Sequence, residues 1–210
     1  MSLQIDPKIK VIAVSKLQST EKIKKLIRAG YTNFGENYVQ EALPKIEELK
    51  SEKINWHFIG KLQKNKAKLV VGKFHLIQSV DSLDLAKVID KQAQNKNLIQ
   101  DVLLQVNVAN EESKNGFSMD ELKADLTALI ALKNIKICGL MTMPPLSNQP
   151  NENQPFFKKL RQLQSEYKSV IPSLSELSMG TSHDYQIAIQ EGATMIRLGT
   201  ILFGARPSNT

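Results

Sequence analysis

At 210 residues and 41% hydrophobic, the chain is long enough to bury a full core, and no stretch of it approaches the roughly 20 consecutive apolar residues that span a bilayer. Lys and Arg number 28 against 21 Asp and Glu, a formal +7, but these cations are scattered without an interleaved aromatic patch, so a solvated basic surface is expected and nucleic-acid binding is not. The single cysteine, Cys138, excludes an internal disulfide and a cysteine-rich metal site.

Residues 1–10 lack the apolar stretch of a signal peptide, which makes the cytoplasm the expected location, with no membrane partner. From there one unit repeats, a short apolar strand followed by an amphipathic helix. The first strand is read at 9–15 and ends on Lys16; its helix runs over 20–29, where Gly30 stops it. A short second strand covers 31–34, and the helix after it starts near Glu36 and meets Pro44, which kinks or restarts it. The third strand, 55–59, precedes a lysine-rich helix at 64–73. The fourth, 75–80, precedes a helix capped by Asp81 or Ser82 that reaches about residue 95.

The fifth strand is placed at 102–108, then a polar loop at 109–118 and a helix at 119–133. The sixth covers 135–141, and a Pro/Asn/Gln-rich loop leads to a helix over 155–170. The seventh is short, 176–178, with a helix at 182–191; the eighth is 195–198, followed by residues 199–204 and a polar tail. Eight alternating units call for a parallel sheet closed into a (β/α)8 TIM barrel, a single α/β domain over residues 1–210. A doubly wound open sheet would want a Gly-rich fingerprint after the first strand, where Lys16-Leu17-Gln18-Ser19 stands instead.

In such a barrel the active site lies at the C-terminal ends of the strands, with phosphate held by the loops after strands seven and eight. Two polar clusters fall there: Ser178-Met179-Gly180-Thr181-Ser182 and Arg197-Leu198-Gly199-Thr200. Glycines permit close backbone approach, and the hydroxyls of Thr181, Ser182 and Thr200 offer anion contacts. Alone, Ser182 reads equally as a helix cap and Gly199 as a turn. Lys16 ends a buried strand that neighbours strand eight on closure. Desolvation favours the neutral amine, which attacks carbonyls, and Arg197 nearby would add to that effect. A lysine reaching solvent from a strand end is the plain alternative. An amine for an aldehyde beside a cradle for a phosphate points to pyridoxal 5′-phosphate. His57, His75 and His183 lie far apart in sequence and read as structural or pocket residues rather than metal ligands.

The runs Val11-Ile12-Ala13-Val14-Ser15-Lys16, Asn33-Phe34-Gly35-Glu36-Asn37-Tyr38 and Trp56-His57-Phe58-Ile59-Gly60-Lys61-Leu62-Gln63-Lys64-Asn65-Lys66 closely resemble the pyridoxal phosphate homeostasis proteins. So do Gly139-Leu140-Met141-Thr142-Met143 and the segment 178–206, and the likeness covers nearly the whole chain. The family looks like the barrel domain of alanine racemase standing alone. The resemblance implies that Lys16 carries the cofactor as an internal aldimine, that Ser182, Gly199 and Thr200 hold its phosphate, and that Arg197 faces the pyridine nitrogen. It also implies that Asn37, His57 and Met141 line the pocket. Two departures stand out: only a few residues precede the first strand, and Leu17 and Gln18 follow Lys16 where relatives often carry a further lysine.

Arginine at the ring nitrogen weakens the electron sink that most enzymes of this cofactor use. Racemases also need a second base on the opposite face of the substrate carbon. With Thr210 ending the chain after the eighth unit, no second domain is expected to bring one. The expected function is therefore a carrier in pyridoxal phosphate homeostasis, not an enzyme. It would hold the cofactor, buffer the free aldehyde and related B6 vitamers, and pass it to apo-enzymes, as a monomer. The 109–118 loop, with Lys114 and Gly116, resembles a family loop and reads either as a transfer element or as a solvated surface loop. The alternatives are a small pyridoxal-phosphate-dependent amino-acid racemase and a cofactor-free phosphosugar barrel with a Schiff-base lysine.

Overall fold

Eight apolar segments become eight parallel strands that pair in sequence order and close on themselves. The computed structural model describes residues 4–111, 115–145, 147 and 149–204. The strands are β1 (Lys10–Val14), β2 (Asn33–Glu36), β3 (Asn55–Phe58), β4 (Leu76–Val80), β5 (Gln100–Gln105), β6 (Ile135–Met141), β7 (Glu176–Thr181) and β8 (Met195–Leu198). The helices are α1 (Thr20–Arg28), α2 (Val39–Glu48), α3 (Ala67–Val70), α4 (Leu83–Asn95), α5 (Met119–Ile130), α6 (Gln154–Tyr167), α7 (Tyr185–Gln190) and α8 (Thr200–Phe203). Closure is made by β1 on β8, which sets Lys10 opposite Met195 and Ile12 opposite Arg197. This is the (β/α)8 barrel that the strand–helix period predicts.

Local chemistry explains several boundaries. Ser82 caps α4 by accepting from the Leu85 N–H at 3.3 Å, and Ser118 and Glu121 form a reciprocal capping box at the start of α5. Gly30, at φ +94°, ends α1 in a conformation that L side chains avoid. Pro44 lies inside α2 instead of breaking it. The carbonyl its missing N–H would have met belongs to Gln40, an exposed residue with water at hand.

Several elements depart from the sequence expectation. β2 begins two residues later than predicted and runs through Gly35 and Glu36. A Cβ on Gly35 would sit 2.8 Å from Ile59 and 2.9 Å from Ile12, so a buried close approach stands where turn chemistry was expected. The predicted helix over 64–73 is a 3-10 turn, Lys64–Lys66, and the single α-turn α3. β5 ends at Gln105, and beyond it Phe117 folds back to pair with Val106. β7 continues to Thr181, so Gly180 and Thr181 belong to the strand end and not to the loop after it. Lys114 and Arg206 lie outside the described residues.

Apolar side chains fill two spaces. The larger core lies between the sheet and its helices and includes Phe34, Phe58, Ile77, Leu104, Phe157 and Ile196. A second cluster joins Ile12, Leu76, Leu103, Cys138, Met141 and Met195. These residues come from strands on opposite sides of the ring, so they meet only in its interior. Among the described residues no helix is long and apolar enough to cross a membrane.

Candidate functional site

A cavity of about 500 Å³ opens at the C-terminal ends of the strands, within the size range of small-molecule sites. β1 contributes Val14 and, two residues beyond its end, Lys16; residues just past β2 and β3 contribute Asn37 and Ile59. Thr181 and Ser182 come from β7 and its loop, Arg197 from β8, and Gly199 and Thr200 from the residues after it. Six residues expected at the site therefore share one wall-to-wall pocket: Lys16, Asn37, Ser182, Arg197, Gly199 and Thr200.

Strand alternation sets the direction of Lys16. Ile12 packs inside the ring and Val14 lines the pocket, so Lys16, two positions on, follows the same face. The turn that carries it is tied down on its outer side. The Lys45 ammonium donates to the Ser15 carbonyl at 2.8 Å, to Glu36 at 2.9 Å and to Glu41 at 2.5 Å. The Ser15 hydroxyl donates to Glu36 at 2.6 Å, and the Leu17 N–H donates to Glu41 at 2.5 Å. Leu17 is held at φ +60°, a left-handed position that costs a non-glycine residue energy. Burial pushes the Glu36 carboxyl above the usual range, against the pull of Ser15 and Lys45.

The loops after β7 and β8 are joined. The Gly199 N–H donates to the Ser182 hydroxyl oxygen at 3.1 Å, which leaves the serine proton free to donate elsewhere. Asp184, buried behind the loop, accepts from the Thr181 N–H at 2.6 Å and from the Asn153 amide at 2.7 Å. Gly180 has φ +87°, and a Cβ there would lie 2.5 Å from Ala188, so the bend before Ser182 requires glycine.

Arg197 is 3% exposed and forms the inner end of the pocket. One terminal nitrogen donates to the Ser178 hydroxyl at 2.7 Å and the other to the Thr142 carbonyl at 2.8 Å. Among the described residues no carboxylate pairs with it directly. Burial lowers its pKa to about 10, partly countered by the charge of Asp184, which still leaves a full cation at neutral pH. Asn37 adds an acceptor: its Oδ1 is buried without a hydrogen-bond partner, an arrangement that costs stability unless a ligand completes it.

Two expected residues are elsewhere. His57 is 1% exposed and does not line the pocket; its ring bonds Gln78 at 3.0 Å and Asn33 at 3.2 Å. Met141 packs in the barrel interior with Ile12 and Leu103. Each lies one layer below the pocket floor, because strand alternation brings an inward side chain to the mouth only at the last position. Ile59 and Met143, each two residues further on, occupy the wall instead. Thr181, read from the sequence as an anion contact, and His183, read as a structural or pocket residue, also line the cavity. Ile59 and Met143 are what sequence reading left out, and counting by twos from His57 and Met141 would have found them.

The "Alanine racemase, N-terminal domain" family profile matches residues 3–207. The pyridoxal phosphate homeostasis protein of Synechocystis is 48% identical over 204 residues, covering 96% of this chain and 94% of that protein. Its namesake from Aquifex aeolicus is 46% identical over 201 residues, covering 94% and 87%. PipY of Synechococcus elongatus, solved with pyridoxal phosphate bound, superposes with a TM-score of 0.89 at 40% identity, covering 96% of this chain and 95% of that one. Alanine racemase from Clostridium difficile shares the fold, with a TM-score of 0.80 at 16% identity over 98% of this chain and 57% of its own.

Proposed function

Because the chain belongs to the pyridoxal phosphate homeostasis proteins, within the alanine racemase N-terminal-domain family, we propose that its pocket is the site at which it holds pyridoxal 5′-phosphate. One observation carries this reading: Lys16, Arg197, Ser182, Gly199 and Thr200 line the same cavity. The orphaned acceptor of Asn37 and the uncrowded Gly199, whose nearest neighbour to an added Cβ is Val14 at 3.8 Å, fit a planar ring with a phosphate arm. When bound, the cofactor supplies an aldehyde that condenses reversibly with a primary amine, releasing water.

Each residue then has a task. Lys16 presents the amine. The Ser182 and Thr200 hydroxyls donate to phosphate oxygens, and Gly199 lets the chain approach them. Arg197, a donor only, faces the ring nitrogen and keeps a proton from residing there. Asn37 bonds the ring's polar edge. Neither His57 nor Met141 is a contact: Met141 packs from below, and His57 is held there by its hydrogen bonds to Gln78 and Asn33.

The site supports a carrier more than an enzyme. Arginine in place of a carboxylate weakens the ring as an electron sink, so proton removal from a bound amino acid gains little. The protein binds the reactive aldehyde in the cytoplasm as a monomer, buffers it together with vitamers that share the aldehyde or the phosphate, and delivers it to apo-enzymes. Titrating purified protein with pyridoxal phosphate tests the binding step. An absorption band that saturates in the wild type and is missing in Lys16→Ala is expected; a protein that stays colourless at saturating cofactor overturns the reading.

A further inference from the structure

Barrel interiors are ordinarily filled by layers of branched apolar side chains. Here part of that space holds an unbroken line of polar groups. Arg197 donates to Ser178 Oγ at 2.7 Å, and Ser178 Oγ donates to Gln78 Oε1 at 2.6 Å. Gln78 Nε2 meets His57 Nδ1 at 3.0 Å, and His57 Nε2 meets Asn33 Oδ1 at 3.2 Å, where the Asn55 amide also donates at 3.2 Å. Arg197, Ser178, Gln78 and His57 are buried, so within that stretch water is no alternative partner, while Asn33 and Asn55 close the line at its outer end.

The line has a direction. The Ser178 proton is committed to Gln78, which leaves its lone pair for the guanidinium. Gln78 must then give a proton to His57 Nδ1, so His57 is neutral and carries its own proton on Nε2, which it gives to Asn33. Every link donates away from Arg197, and aligned links of this kind polarise one another in a low-dielectric interior. The buried charge is thus held by oriented dipoles and not by a carboxylate, which would pull the guanidinium out of line or neutralise it.

We propose that Asn33, His57, Gln78 and Ser178 are positioning residues that lock the Arg197 guanidinium in one orientation toward the ring-nitrogen end of the pocket. The inference rests on the cofactor reading above but makes a claim of its own about the apoprotein. Without the line only the Thr142 carbonyl would hold the Arg197 guanidinium, which could then pivot about that one bond, and its donation to a bound ring nitrogen would be intermittent. The nitrogen could then take a proton from water.

Two readouts separate the chain from the cofactor. Nitrogen-15 NMR of the apoprotein between pH 5 and 8 should show His57 as the neutral Nε2–H tautomer throughout. A Nδ1–H tautomer or an imidazolium overturns the proposal, whatever the pocket binds. In the loaded protein, Gln78→Met keeps the side-chain volume and removes both hydrogen bonds. It should weaken cofactor affinity about tenfold and give the absorption band a protonation step between pH 5 and 8 that the wild type lacks. Gln78→Met that folds and keeps both the wild-type affinity and the wild-type spectral pH profile overturns the proposal. Should the wild type bind no cofactor at all, the binding reading fails while the His57 tautomer still decides whether the chain exists.

Discussion

The Gly199 N–H donates to the Ser182 hydroxyl oxygen at 3.1 Å, so the loops after β7 and β8 are stapled by the same serine that faces the pocket. One side chain therefore shapes the anion cradle and serves it. Ser182→Ala removes both interactions, and cofactor affinity should fall about tenfold or more. The loss should be larger for pyridoxal phosphate than for pyridoxal, which has no phosphate; equilibrium titration of both ligands checks this.

Lys45 lies beneath the turn that carries Lys16 and neutralises two carboxylates at once. Lys45→Met strands Glu36, whose side chain is fully buried and whose Oε2 already lacks a partner. The variant should lose about 3 kcal/mol of stability at pH 7, typical of breaking a buried pair from one side. Burial already raises the Glu36 pKa, so the deficit should shrink as the pH falls and that carboxyl takes up a proton. Denaturant unfolding at pH 7 and pH 5 measures both values.

Burial lowers the His57 pKa from 6.5 to about 3, with smaller contributions from His75 and Lys10. The unfolded chain binds a proton there that the native state refuses. Its contribution is therefore fully present above about pH 6.5 and is lost as the pH falls toward 3, at about 1.4 kcal/mol per pH unit. Glu36, with a raised pKa, works in the opposite sense, so the wild-type curve alone mixes the two. The difference between wild type and His57→Gln isolates the histidine and should show that slope between pH 6 and 4.

A Cβ on Gly60 would lie 2.1 Å from the Asn37 carbonyl oxygen and 2.6 Å from its Cα. Both partners are backbone, so no side chain can swing aside. Gly60→Ala should destabilise the fold by about 2 kcal/mol or more and, where it still folds, weaken cofactor binding by moving Asn37. Thermal denaturation and a binding titration on the same preparation give the two numbers.

Much of this fold was legible in the chain because each buried parallel strand reads as a short apolar run between helix signals. β6 and β8 sit where the pattern placed them. The second strand was displaced because Gly35 reads as a break and Glu36 as the start of a helix, and only the tertiary contacts with Ile12, Ile59 and Lys45 make them strand residues. At the site, Lys16, Arg197, Ser182, Gly199 and Thr200 were readable from strand ends and Gly/Ser/Thr clusters. Depth was not. A family motif names His57 and Met141 without saying how far each strand runs before it opens, and two positions separate an interior side chain from a pocket wall. The interior line from Arg197 to Asn33 joins five strands distant in sequence, and no local pattern announces it.

The central claim, that the Lys16 amine is the group that takes the cofactor, is tested most directly by fixing the bond chemically. Protein loaded with pyridoxal phosphate is reduced with borohydride, digested, and its modified peptide mapped by mass spectrometry. A stable pyridoxyl group on Lys16 is expected. A label on a different lysine of the loaded protein, or none after reduction, would contradict it.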